Sequence, residues 1–360
     1  MTPLFFRIDA SPKIGLGHLR RCCVLARACR EQGAMAHFFI RHQDLNLSSQ
    51  EFPPDSVLHD IPWDSTPSED ARLTAELCIE TQVRVGVVDH YRVGEEGYQQ
   101  TLNKAGLRWM QFGNLLHTHS LLGALVHDAN PGSKLDDFRT RLVGPPPEFL
   151  TGPGYALVGE DFRAERARLS PPEICNIESI LLTFGGGDDR GATLTALDWL
   201  DAAGYVGKRL LLTTRLNPHL PMLEERARAS ADIELHVDNW HPAPLMAHCQ
   251  LALCAGGTSL HELACLGVPP VIVCIADNQL FPAQAWHDAG MALNLGTLVT
   301  IQAGDASAHL HRLLNQPAER AEMARRCWEA QDGLGAARVA AALLRQVDIP
   351  GVSFMGNGTS

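Results

Sequence analysis

Short unbroken apolar runs alternate along this 360-residue chain with stretches whose apolar positions recur every three or four residues. The first run, Leu4-Phe5-Phe6-Arg7-Ile8, has the length and continuity of a strand buried on both faces. A loop holding Ser11, Pro12, Gly15 and Gly17 follows, and Leu19 to Cys29 then reads as a helix ended by Gly33. Residues 34–40 form the next strand. The stretch 42–68 is polar and Pro-containing, with a strand-like piece at Val57-Leu58. A helix around 70–81 leads to a strand over 84–88 that ends in Asp89, His90 and Tyr91. Residues 107–112 and 123–127 continue the series, with Gly113-Asn114 between them.

Gly144-Pro145-Pro146-Pro147 fits neither a helix interior nor a central strand and marks passage out of a first domain. The alternation then restarts. Strands are expected over 179–184, 210–213, 234–237, 251–254 and 268–275, with a short helix at Leu245-Met246. Helices follow at Ala192, up to Leu266, and over 281–290, 305–315 and 317–331, the last opened by Pro317. The expectation is an α/β chain of two doubly wound, Rossmann-like domains, 1–158 and 159–349, facing each other across a cleft, with a disordered tail over 350–360.

Candidate chemistry sits where strands end, because ligands of such sheets lie beyond the strand C-termini. Gly15 and Gly17 permit close backbone approach to a ligand, and the free N–H groups of the following helix can face an anion. His18 stands at the start of that helix, whose dipole disfavours a protonated ring. A neutral imidazole there is a candidate general base, and a helix cap is its other use. Arg21 follows closely enough to reach the same ligand. Asp89, His90 and Tyr91 end a neighbouring strand and are candidates for ligand contact or for a plain strand-end turn.

The second half carries glycine loops. Gly185-Gly186-Gly187, followed by Asp188, can turn tightly and present N–H groups to phosphate. Gly256-Gly257-Thr258-Ser259 does the same at another helix start, and together the two loops suit a diphosphate. No Lys-Ser/Thr ending follows, so neither is a P-loop. Glu262 can take a ribose diol or close a capping box with Ser259. Asn278 and Gln279 follow a strand and can meet a sugar ring or form a turn.

Composition narrows the classes. The formal net charge of −11 argues against a general nucleic-acid binder. No apolar run spans a bilayer and no signal peptide is evident, so a soluble cytoplasmic protein is expected. The ten cysteines include no Cys-x-x-Cys pair and read as core residues of a reducing compartment. His117 and His119 have no supporting cysteine or carboxylate cluster, so no metal is expected, and no cofactor.

Taken in order, these residues resemble a known family. The segments are Arg7-Ile8-Asp9-Ala10-Ser11, Ile14-Gly15-x-Gly17-His18-x-x-Arg21-Cys22, Val88-Asp89-His90-Tyr91 and Gly152-Pro153-x-Tyr155-Ala156-Leu157. Phe184-Gly185-Gly186-x-Asp188, Asn217-Pro218-His219, Ala255-Gly256-Gly257-Thr258-Ser259-x-x-Glu262, Ala276-Asp277-Asn278-Gln279 and Asp332-Gly333-Leu334-Gly335-Ala336 complete the set. The chain is similar to the UDP-2,4-diacetamido-2,4,6-trideoxy-β-L-altropyranose hydrolases of pseudaminic acid biosynthesis, a GT-B fold family. The resemblance implies that water attacks the anomeric carbon of a UDP-linked sugar and UDP departs. It places the water-activating base on His18, sugar-facing positions on Tyr91 and Asn278, and the UDP-holding loop on Gly257, Thr258, Ser259 and Glu262. Cleft closure would then order the attacking water. Gly113-Asn114 stand where an acidic pair is common in that family, and the Asn expected after Asp188 is replaced near Gly191. The rival readings are a GT-B glycosyltransferase, a non-catalytic sugar-nucleotide binder and a nucleotide-sugar epimerase.

Overall fold

The computed structural model describes residues 1–11, 14–44, 52–95, 97–113, 120–173 and 176–349. Pro12, Asn114, His117, His119 and the tail from Pro350 lie outside the described residues. The chain forms two compact units. Unit 1 holds Met1–Ala129, Ser133–Leu157 and the chain from Ala336 on, and unit 2 holds Asn130–Gly132 and Val158–Gly335.

Unit 1 is built on seven parallel strands: β1 (Thr2–Ala10), β2 (Ala34–His42), β3 (Val57–Asp60), β4 (Val85–Asp89), β5 (Arg108–Phe112), β6 (Leu125–Asp128) and β7 (Glu148–Thr151). Their order in the sheet is β3-β2-β1-β4-β5-β6-β7. The central strands are unbroken apolar runs because helices cover both faces of such a sheet. Phe6 stacks on Phe38 of the neighbouring strand with ring centroids 5.1 Å apart. Gly86 lies opposite Phe5 in the β1–β4 register, and a Cβ there would stand 2.1 Å from the Phe5 carbonyl oxygen. Only glycine lets β4 approach β1 this closely.

Arg7 is the exception inside β1. It is fully buried, and its Nε and Nη1 donate to Asp70 Oδ1 and Asp9 Oδ1, both at 2.8 Å. Arg41 Nη2 adds a bond to Asp9 Oδ2 at 2.6 Å. The charge survives in the core because it is paired and hydrogen-bonded.

Unit 2 has six parallel strands: β8 (Ser179–Thr183), β9 (Lys208–Thr213), β10 (Ile233–Val237), β11 (Leu251–Cys254), β12 (Pro270–Cys274) and β13 (Leu293–Thr297). Their order is β10-β9-β8-β11-β12-β13. The nine described cysteines are free and buried. No helix among the described residues is long and apolar enough to cross a membrane.

Three features differ from expectation. β7 follows directly on the triple proline, which reads as a domain exit; it is an edge strand, where a preceding proline breaks no ladder. β13 is also an edge strand, and its residues, Leu293–Thr297, are too mixed to stand out as an apolar run. The largest correction concerns the end of the second domain. The second domain is expected to run to residue 349, but the helix Gly335–Val347, not expected from the sequence, belongs to unit 1 from Ala336 on. Val339, Ala340 and Leu343 are fully buried in the core of the first sheet, and Arg108 Nε donates to Gln346 Oε1 at 3.1 Å.

In each sheet the chain winds outward from its first strand, then returns to the other side. β1 therefore adjoins β4, and β8 adjoins β11. These are topological switch points, where the loops leaving adjacent strands diverge and leave a crevice.

Candidate active site

At the switch point of unit 1 the chain leaves β1 through a tight turn. Gly15, at φ +82°, donates its N–H to Ser11 O at 2.7 Å, and Ser11 Oγ accepts from Ile14 N at 3.1 Å. Gly17 opens the helix Gly17–Glu31, which places His18 and Arg21 one turn apart on the same face. The N-cap is Leu16, with no side-chain cap bond, so His18 does not cap the helix.

His18 Nδ1 lies 2.7 Å from Asp89 Oδ1, across the crevice at the end of β4. A carboxylate partner makes Nδ1 the protonated nitrogen, and Nε2 is left with its lone pair and no partner among the described residues. The ring is only 5% exposed. Tyr91 meets it edge-on at 5.0 Å between centroids, and burial raises the Tyr91 hydroxyl pKa.

Asp89 and Arg21 were expected to face the ligand. The structure places Asp89 behind the imidazole, fully buried. Arg21 Nε donates to Asp89 Oδ2 at 2.5 Å, its Nη2 bonds Oδ1, and Cys22 Sγ stands 3.5 Å from Oδ2. Burial alone would push the Asp89 carboxyl pKa up; Arg21 and His18 outweigh it and hold the group well below the usual carboxylate range. The Arg21 guanidinium lies 3.9 Å from the centroid of the Phe112 ring.

His90 points the other way, as the next residue along a strand must. Its Nε2 is 3.0 Å from Tyr98 OH, which donates to Asp70 at 2.9 Å, and burial lowers its pKa to about 3. It belongs to the Arg7 network rather than to the His18 site.

His127, at the end of β6, gave no signal in the sequence. Its ring sits 5.1 Å from Phe112, Nε2 donates to Tyr155 O at 2.9 Å, and burial lowers its pKa to about 4. Only the register that pairs Phe112 with His127 brings it here.

In unit 2 the two glycine loops differ. After β8, Gly185 takes φ +101° and Thr214 Oγ1 holds Gly186 O at 3.0 Å. Asp189, buried, then accepts from Gly191 N at 2.9 Å and Thr193 N at 3.2 Å. This carboxylate fills the N-terminus of the helix Ala192–Ala202, which follows the glycine loop expected to present N–H groups to phosphate. Asp188 is exposed, accepts from Arg190 N at 2.8 Å and stands 3.8 Å from His219 Nε2. Asp188, Asp189 and His219 bring ligand-type atoms within 4.8 Å of one another, with Asp189 already engaged by the helix backbone.

The loop after β11 is open. Thr258 is the N-cap of the helix Ser259–Leu266 and makes no side-chain cap bond, so the Ser259–Glu262 capping box does not form. Among the described residues the Thr258 and Ser259 N–H groups donate to no acceptor. Glu262 is half-buried one turn on. Gly256 packs against the loop after β12, where a Cβ would come within 3.0 Å of Gln279 Cβ. Gln279 Oε1 accepts from Ile275 N at 2.9 Å, so this side chain forms the turn, while Asn278 is exposed. Gly257 is exposed beside it.

Two parallel α/β units of this strand order, each with a switch-point crevice, define a two-domain protein of the GT-B fold. The crystal structure of Acinetobacter baumannii MurG superposes with a TM-score of 0.65 at 13% identity, over 96% of this chain and all of that one. In sequence, the chain is similar to the UDP-2,4-diacetamido-2,4,6-trideoxy-β-L-altropyranose hydrolase of Campylobacter jejuni, 22% identical over 278 residues, 77% of this chain and 93% of that protein. It is also similar to the spore coat polysaccharide biosynthesis protein SpsG of Bacillus subtilis, 25% identical over 194 residues. That match takes in 53% of this chain and 57% of SpsG, so the chain spans little more than half of that relative's length. No family model matches the chain.

Proposed function

We propose that this chain hydrolyses a UDP-linked diacetamido-trideoxy hexose, the reaction class of pseudaminic acid-type nonulosonate biosynthesis. The observation that carries the reading is the His18–Asp89 pair, which leaves the other imidazole nitrogen with its lone pair and no partner among the described residues, at a switch-point crevice. The name of the Campylobacter relative supports the substrate class.

In this reading Nε2 of His18 takes a proton from water as the water oxygen bonds to the anomeric carbon. The bond from that carbon to the diphosphate oxygen breaks, and the electron pair leaves with UDP. Asp89 stabilises the imidazolium that forms. The N–H groups of Thr258 and Ser259, which have no acceptor among the described residues, stand at the start of their helix and receive the diphosphate charge, so the departure needs no metal. Glu262 accepts from the ribose diol. Tyr91 and Asn278 face the sugar, with Gly15 and Gly17 giving it room, and Gly185, Gly186 and Asp188 border the nucleotide.

The test is incubation with a panel of UDP-sugars and no acceptor, read by product mass and anomeric configuration. One free sugar and one UDP per substrate is the expected outcome. UDP release only on addition of an acceptor would make the chain a glycosyltransferase. An altered sugar still joined to UDP would make it an epimerase, and binding without turnover a sugar-nucleotide binder.

A further inference from the structure

We propose that Arg21 is a positioning residue that restrains the basicity of His18, and that it does not bind the substrate. Its kinetic consequences rest on the hydrolase reading; its effect on the imidazole does not.

The geometry is specific. Arg21 uses both edges of its fork on one carboxylate, Nε on Asp89 Oδ2 and Nη2 on Oδ1. Asp89 Oδ1 is the same oxygen that His18 Nδ1 meets, and Arg21 Nη2 comes within 3.1 Å of that nitrogen. The ring and the guanidinium therefore share one acceptor. Stacking on Phe112 fixes the plane of the guanidinium, and only 15% of the Arg21 side chain is exposed. Little of it is left for a sugar or a phosphate.

A carboxylate alone behind a histidine favours the imidazolium and would leave the base protonated before substrate arrives. A fixed cation beside the ring opposes this. It neutralises part of the carboxylate and repels a second positive charge on the imidazole. Among the described residues the surrounding titratable groups are Asp89 and Tyr91 from β4 and the turn after it, Cys22 from the shared helix and His127 from β6. Arg21 is the one permanent cation among them. Asp89 thus orients the ring while Arg21 limits how strongly it holds a proton.

The experiment is Arg21→Gln and Arg21→Lys in the full-length chain, read in two ways. In protein with 15N-labelled histidine, the His18 ring titration in Arg21→Gln should move up by about one pH unit from wild type. Arg21→Lys, which keeps the charge and loses the fork, should move it by less than half as much. With a turned-over UDP-sugar, the acid limb of kcat/KM should move up in parallel while KM changes less than about twofold. A ring titration unmoved in Arg21→Gln, with the variant folded by circular dichroism, overturns the proposal and leaves the hydrolase reading standing. An unmoved acid limb with KM raised tenfold or more also overturns it, because Arg21 then binds substrate. A moved ring titration in a protein that cleaves no UDP-sugar keeps the Arg21 role and overturns the hydrolase reading.

Discussion

The two sheets share a winding order and each opens a crevice between its first and fourth strands, but the side chains there are opposite in kind. At β1/β4 the crevice is filled with interlocked ionisable groups: His18, Arg21 and Asp89, with Tyr91 against the ring. At β8/β11 it is bounded by glycines and by a helix start whose first N–H groups have no acceptor among the described residues. In the function proposed above, the same backbone carries the proton-handling group in one unit and the anion-binding groups in the other. What differs is whether the residue after the glycine turn is an imidazole or another short polar group, and whether the facing strand ends in a carboxylate. Asp89 ends β4, whereas Cys254 ends β11.

That division can be broken most sharply at His18. His18→Ala should lower turnover of a UDP-sugar by about a thousandfold, while calorimetry shows UDP affinity within about twofold of wild type. Loss of both together would mean that the two crevices do not divide the work. Next in size is the packing that holds β4 beside β1. Gly86→Ala should destabilise unit 1 by about 3 kcal/mol, because its Cβ meets backbone that cannot give way; chemical denaturation with peptide-level hydrogen exchange would show whether unit 2 stays protected.

Acid should separate the units too. His90 and His127, both in unit 1, have pKa values lowered by burial to about 3 and about 4, from an ordinary value of 6.5. Their unfolded forms bind protons that the folded forms refuse. The stability they contribute is fully present above pH 6.5 and is lost as pH falls toward those folded values. Each contributes a slope of about 1.4 kcal/mol per pH unit inside that window. Hydrogen exchange corrected for intrinsic rates should show β4 and β6 losing protection before β11 and β12; equal loss would contradict the burial of these rings. The smallest effect is expected at the self-capped helix of unit 2. Asp189→Ala should cost about 1 kcal/mol of stability and leave UDP affinity within about twofold. A larger fall in affinity would show that both glycine loops receive the diphosphate.

Much of this was legible locally. The run Leu4–Ile8, the turn at Gly15 and the helix after it follow from apolar continuity and from residues that tolerate positive φ. The same rule found β4, β8, β11 and β12. It missed β7 and β13, because Glu148–Thr151 and Leu293–Thr297 mix apolar with polar or glycine residues and carry no continuous apolar signal. The helix Gly335–Val347 is amphipathic enough to find from sequence, but periodicity says only that one face is covered, not by which unit.

The amino-acid order alone determined the strand–glycine–helix units, their number of domains, and the type of group at each strand end, since these depend on neighbours within a few residues. It placed His18 at a helix start with a glycine turn before it. Which nitrogen of that ring is free, that Asp89 stands behind it rather than before a ligand, and that Arg21 and His127 join it were decided by the parallel register across β1, β4, β5 and β6. The physical reason is range. Propensity and capping act over one turn of chain, while the partner that sets a side chain's proton lies 71 residues away and is brought there only by sheet assembly.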